Sequence, residues 1–274
     1  MDFKFSVLMS LYKKEKAEYA RECFRSLENQ TIKATEWVIV EDGPLNDELY
    51  SLLDEYEAKY PNLIKRVKFE ENRGLGLALH DGILHCSYDL VARMDTDDIA
   101  REDRFEKQLK EFKKNPSLDI CSSHICEFEG NIDNVVTSRK VPIGYDEIKK
   151  YQKRRDAFNH MAVMYKKSSV IKAGNYQSCL LMEDTVLWVN MLLNGCIASN
   201  VDDYLVYARI GKDMFERRGG YSYYKKYKAG RKRVYQTGYI SWFDYRYTLL
   251  VQLIISLIPN KLRGFIFKRI LHKQ

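Results

Sequence analysis

The chain has few of the signatures that sort a protein at first glance. Its six cysteines (Cys23, Cys86, Cys121, Cys126, Cys179 and Cys196) contain no C-x-x-C pair and form no zinc-module pattern with the five histidines. A zinc ribbon or finger and a redox dithiol are thereby excluded. Scattered on apolar faces, these cysteines read as small core residues of a reducing compartment. No apolar run reaches the roughly 20 residues that a bilayer-spanning helix needs. The best candidate, YTLLVQLIISLIP, is interrupted by Gln252 and Ser256 and closed by Pro259. The opening residues, MDFKFSVLMS, enter a strand-like run directly, so no secretory signal is expected and the expected site of action is the cytoplasm. G-x-x-x-x-G-K-[ST] is absent, and ENRGLGLALHDG carries Leu79 where a dinucleotide fingerprint needs its third glycine. A Walker loop and a classical NAD site are therefore not expected. No internal repeat or low-complexity segment is found.

What is present is a 274-residue chain, 45% hydrophobic, with a net charge of +7. That suits one large domain, or one domain with an appendage, and tolerates an anionic partner without choosing among membrane, nucleotide and nucleic acid. The first half alternates strand and helix patterns. Apolar runs at Phe5–Ser10, Trp37–Val40, Arg66–Phe69 and Leu90–Met94 read as strands. Between them, Ala20, Cys23, Phe24 and Leu27, then Leu49, Leu52, Leu53 and Tyr56, then Leu75, Ala78, Leu79, Gly82 and Ile83 recur at helical spacing. This predicts an α/β fold with a mostly parallel central sheet flanked by helices. Later strands are expected at Ile120–Phe128, Val135–Val141 and Ala162–Tyr165, and a helix at Glu183–Asn194.

Ligands of such sheets bind outside the carboxyl ends of the strands. There the sequence places Ser10 and Tyr12, then Asp42, then Asn72 and Arg73, and finally Asp95, Asp97 and Asp98. Three carboxylates within four positions repel one another at about 4 kcal/mol per pair for charges about 4 Å apart. An isolated acidic triplet of this kind is most often a solvated turn capping the next helix. At the end of a buried parallel strand it reads instead as an oxygen-ligand site for Mg²⁺ or Mn²⁺, whose remaining positions a substrate phosphate would fill.

In their order, the stretches FSVLMSLYKKE, SLENQTIKATEWVIVEDGP, ENRGLGLALHDGI, RMDTDDIAREDRFEKQ and MEDTVLW resemble the family 2 glycosyltransferases of GT-A fold, over roughly residues 3 to 210. The C-terminal pattern FERRGGYSYYKKYKAGRKR followed by LIPNKLRGFIFKRIL resembles the amylovoran and capsule-type branch. The resemblance implies that Ser10 and Tyr12 contact the base, that Asp42 accepts the uracil ring N–H, and that Arg73 lies near base and phosphates. Asp95, Asp97 and Asp98 would hold the ribose and the metal. Asp184 would be the catalytic base, its anion favoured by the positive helix end. Glu183, His160 and Arg209 would lie on the acceptor or phosphate side. It further implies an inverting, metal-dependent enzyme with a nucleotide-sugar donor, a UDP-sugar, and a glycan or lipid-linked acceptor in surface polysaccharide synthesis. The Q-x-x-R-W signature of processive synthases is absent, so one sugar per encounter is expected.

The division expected is a transferase domain over residues 1–211 and a C-terminal helical region over 212–274. The latter interleaves Lys and Arg with tyrosines before its apolar segment, which suits the face of an anionic membrane better than nucleic acid. A helical pair packed on the domain, or forming a homodimer, is the competing expectation. Two other functions stay open at this point. A nucleotidyltransferase would need a glycine-rich basic loop, and MSLYKKE has no glycine. A non-catalytic basic binding protein would not need Asp95, Asp97 and Asp184 together.

Overall fold

The computed structural model describes residues 3–179, 181–211 and 219–258. Strand β1 (Phe5–Leu11) is buried on both faces, and α1 (Ala17–Glu28) returns over it on Ala20, Cys23, Phe24 and Leu27. Strand β2 (Glu36–Glu41) leads to α2 (Asp47–Lys59), whose first turn is capped by the Asn46 side chain accepting from Leu49 N–H. The edge strand β3 (Ile64–Lys68) buries only Val67; its partner face is open, so it shows little apolar patterning. Helix α3 (Leu75–His85) and β4 (Leu90–Arg93) complete the first unit.

The chain runs β1, β2, β3 outward, then crosses back so that β4 lies on the other side of β1, all four strands parallel. A crevice opens where the order reverses, at the carboxyl ends of β1 and β4. The short β5 (Ile99–Ala100) precedes α4 (Arg104–Lys114), β6 (Leu118–Phe128), β7 (Val135–Arg139) and α5 (Tyr145–Gln152). A single 3-10 turn (His160–Ala162) enters β8 (Met164–Lys166), followed by α6 (Lys167–Lys172), α7 (Glu183–Leu193) and β9 (Ile197–Arg209). The path is β3-β2-β1-β4-β8-β6-β9-β5, with β7 beside β6; β8 is antiparallel to its neighbours and β6–β9 are parallel again.

Two cores sandwich the sheet. One packs Phe24, Trp37, Tyr56 and Phe105 under α1, α2 and α4; the other packs Ile83, Tyr165, Tyr176 and Trp188 under α3 and α7. All six cysteines are free. Helices α8 (Gly220–Gln236) and α9 (Trp242–Leu257) pack on each other, and Val234 and Ile240 close a third cluster over Met182, Val186 and Val189 of the α7 region. Helix α7 is consequently buried almost all round. The other face of α9 stays exposed, with Phe243, Tyr247, Leu250, Ile254 and Leu257 in a row. No helix of the described residues is long and apolar enough to cross a membrane.

Candidate active site

The acidic turn is built on the end of β4. Ligand oxygens of Asp95, Asp97 and Asp98 all lie within 4.8 Å of one another. The Thr96 hydroxyl, 3.3 Å from the Ser10 carbonyl, ties the turn to the end of β1 and bonds the Glu15 carboxylate. Arg209 fastens the turn from the β9 side. Its backbone N–H donates to Asp98 Oδ1 (2.8 Å) and its Nε to the Asp97 carbonyl (3.0 Å), while its other nitrogens bond Gly130 O and Glu22. Its side chain is therefore spent on holding the turn and lies between the Tyr19 and Phe128 rings.

The charge balance of this turn is unfavourable without a cation. Asp97 has an open surface, but it sits in a concave crevice where protein displaces much of its water. That loss and the Asp95 charge push it up to about 6. Burial, with the Asp97 and Asp95 charges, drives Asp98 well above the usual carboxylate range, and its Oδ2 has no hydrogen-bond partner among the described residues. Burial also pushes Glu15 up to about 8, and Asp97 and Asp95 add to the shift. An orphaned buried oxygen among three clustered carboxylates fits a hard divalent cation.

Beneath the turn lies Arg93, 1% exposed, bonded through Nη2 to Asp95. Its Nε and Nη1 have no partner among the described residues. Its charge also reaches Glu183 and Asp184, so it is shared between the acidic turn and the start of α7. Asp184 is pushed up to about 8 by burial first, and then by Asp156 and Glu183. The sequence suggests the opposite, an anion favoured by the helix end. Here lost hydration and two like charges outweigh both the helix end and the bond from Thr185 N–H (2.8 Å). His160 Nδ1 stands 4.0 Å from Asp184 Oδ2, and its Nε2 is 3.0 Å from the Tyr176 hydroxyl. Burial holds this imidazole well below its usual range, and therefore neutral.

The remaining expected residues line the β1–β2 side of the crevice. Tyr12 is 40% exposed at the end of β1. Asp42 is buried, and its carboxylate accepts from Arg73 N (2.7 Å), Gly74 N (3.0 Å) and Asn72 Nδ2 (2.9 Å), which fastens the β3–α3 loop. The next residue, Gly43, has φ +84°, and a Cβ there would lie 2.6 Å from Asn72 N. Only glycine permits that approach. The Arg73 guanidinium pairs with Asp81 (2.8 Å) and stacks over Phe69. Gly76 of α3 touches Glu183, with a virtual Cβ 3.2 Å from the Glu183 Cβ, which brings this loop to the start of α7. Ser10, Tyr12, Asp42 and Arg73 thus share one end of the crevice, and Asp184, Glu183 and His160 the other. Sequence reasoning missed Glu15, Arg93 and Asp156. Of these only Arg93 left a signal, as a lone cation inside an apolar strand run, where a charge is seldom buried unpaired.

A mixed sheet, a crevice at its switch point, an acidic turn at the end of β4 and the desolvated pair Glu183 and Asp184 at the start of α7 give this protein the make-up of a sugar-transferring enzyme of GT-A fold. A mannosyltransferase from Pyrobaculum calidifontis, solved with GDP-Man and Mn²⁺, shares the fold at TM-score 0.64 and 14% identity, over 95% of this chain and 71% of that one. Residues 6–171 match the Glycosyl transferase family 2 model, and the chain belongs to that family. It is 37% identical over 270 residues to the Escherichia coli UDP-Gal:alpha-D-GlcNAc-diphosphoundecaprenol beta-1,3-galactosyltransferase, covering 98% of this chain and 97% of that protein. It is 36% identical over 269 residues to the Erwinia amylovora amylovoran biosynthesis glycosyltransferase AmsE, covering 97% and 98%. The expected family and branch agree with these matches.

Proposed function

We propose that this glycosyltransferase moves one sugar per encounter from a UDP-sugar to a glycan or lipid-linked acceptor in surface polysaccharide synthesis, with inversion at the anomeric carbon. The observation that carries this reading is the pairing of the acidic turn with Asp184 through the shared, buried Arg93. The printed activities of the Escherichia coli and Erwinia relatives support the donor class and the biosynthetic setting.

Ser10, Tyr12, Asp42 and Arg73 would bind the nucleoside at the β1–β2 end. Asp95, Asp97 and Asp98 would hold Mg²⁺ or Mn²⁺, which when bound neutralises charge on the diphosphate leaving group. Asp184 removes the proton from the acceptor hydroxyl as that oxygen attacks the anomeric carbon. The bond from the anomeric carbon to the diphosphate oxygen breaks, and the electron pair leaves with the nucleoside diphosphate. A single displacement by one base inverts the configuration. Thr185 N–H holds the Asp184 carboxylate, the neutral His160 ring, backed by Tyr176, lies beside it, and Arg93 limits how far crowding suppresses its ionisation.

The exposed row on α9 and the lysines of α8 support a peripheral contact with the inner face of the cell membrane, where a lipid-linked acceptor would lie. Calorimetric titration with UDP, with and without Mn²⁺, tests the donor site. Metal-dependent binding that Asp97→Ala abolishes is the expected result; metal-independent binding, or none, refutes it.

A further inference from the structure

Two cavities adjoin at the start of α7, where both are lined by Asp156, Met182 and Thr185. The larger, about 680 Å³, is walled by β7, the start of α7 and α8, and has Asp184 in its lining together with Arg139, Asp156 and Lys226. The smaller, about 240 Å³, shares Arg139 and Asp156 and adds Arg154, Arg155 and Arg231. Of these cations, Arg154 pairs with Asp244 (2.7 Å), Arg231 is buried on Lys153 O and the Thr248 hydroxyl, and Arg155 lies over the Tyr151 ring, so Arg139 and Lys226 are the ones the cavities offer beside Asp156 and Asp184. Arg139 reaches Glu127 only at 3.4 Å, and its buried Nε has no partner among the described residues. Lys226 is exposed. A sugar alone gives such cations nothing to neutralise, whereas phosphate oxygens accept two or more charge-assisted bonds from them.

We propose that this double cavity is an acceptor-phosphate site, in which Arg139 and Lys226 hold the phosphate or diphosphate of a phosphate-linked sugar while its hydroxyl reaches Asp184. The assignment rests on Asp184 being the base of the transfer reaction. It makes recognition of the acceptor depend on its phosphate, and it places that phosphate beside the helical pair. The α9 row (Phe243, Tyr247, Leu250, Ile254 and Leu257) is exposed on that pair, where the chain of a membrane lipid would run.

The test is calorimetric binding of inorganic pyrophosphate and of octyl diphosphate to the full chain in a metal chelator, so that the acidic turn contributes nothing. The proteins are wild type, Asp97→Ala, Lys226→Gln, the double variant Arg139→Gln/Lys226→Gln, and Lys110→Gln as a remote exposed charge control. Wild type, Asp97→Ala and Lys110→Gln are expected to bind alike. Lys226→Gln, at an exposed position that folding tolerates, is expected to weaken binding about threefold, and the double variant tenfold or more. Octyl diphosphate binding tighter than pyrophosphate supports a lipid source; equal affinities support a soluble phosphorylated acceptor. Absence of pyrophosphate binding, or equal loss in Lys110→Gln, overturns the proposal. UDP titration with Mn²⁺ on the same proteins separates the two readings. Lost UDP binding in wild type with pyrophosphate binding intact sinks the donor assignment and leaves the anion site standing.

Discussion

Replacing Asp184 by Asn separates what this carboxylate does for catalysis from what it costs the fold. With its pKa at about 8, roughly 3% of Asp184 is ionised at pH 6.5 and half at pH 8. The kcat/KM of the wild type is therefore expected to rise about tenfold per pH unit from 6 to 7 and to level off near 9. The Asn variant should lose about 10²- to 10⁴-fold in rate at pH 8. Its stability should move the other way. The folded chain keeps on Asp184 a proton that the unfolded chain releases from about pH 4 upward, so wild-type stability falls as pH rises toward 8. The variant escapes that fall while its amide oxygen still accepts from Thr185 N–H. The full shift would give about 5 kcal/mol over those four pH units. Asp184 keeps 22% of its side chain exposed, so the advantage should be absent at pH 4, grow to pH 8 and reach on the order of 1–3 kcal/mol. Thermal melts at pH 4.5, 6.5 and 8.5, with initial rates across pH 6 to 9, read both effects. Asp156→Asn removes the second cause of the shift and should move the acidic limb to lower pH. A rate that is flat from pH 6 to 9, or a stability advantage that shrinks as pH rises, would refute the reasoning.

Arg93→Met should destabilise the protein by roughly 3 kcal/mol in urea unfolding, since it strips Asp95 of its buried partner, and it should move the acidic limb of the rate profile to higher pH. Gly230→Val should cost about 1–3 kcal/mol, because a Cβ there would lie 2.7–2.9 Å from Met182 Sδ, Cγ and Cβ. Met182→Ala in the same chain should recover part of that loss, and additive single-variant losses would show that α8 does not seat on Met182. Leu250→Asp/Ile254→Asp, at exposed positions on α9, should lower partitioning onto anionic vesicles at least about tenfold in a flotation assay. Unchanged partitioning would remove the membrane contact from this face.

Patterns within a dozen residues were enough to identify β1, β2, β4 and α1 to α3. These strands are apolar on both faces, and each helix repeats its buried positions at regular spacing. Local order also marked the acidic turn, because a carboxylate cluster at the end of a buried strand has few other uses. Strand β9 was not legible. It carries Asn200, Asp202 and Asp203, and its polar groups are satisfied by partners far along the chain, as when Asn200 bonds Pro142 O and Ala157 O. The C-terminal helices were visible as a change in composition, but which face of α9 packs and which stays open follows from where α7 lies.

The largest cause of the site's shifted ionisation, lost hydration, belongs to the tertiary structure. Sequence alone put Asp184 at a helix start, where the local field favours the anion. Sequence also placed Glu183 next to it; the fold then stripped most of its water, brought Asp156 close, and set the Arg93 charge within reach of both Asp184 and the acidic turn. A residue's identity and its near neighbours are written along the chain, whereas the water it loses and the charges it meets depend on segments up to a hundred or more residues away. Sequence therefore determined which carboxylates this enzyme has and on which elements they stand, and the tertiary structure decided which of them are charged, because hydration and Coulomb fields act through space.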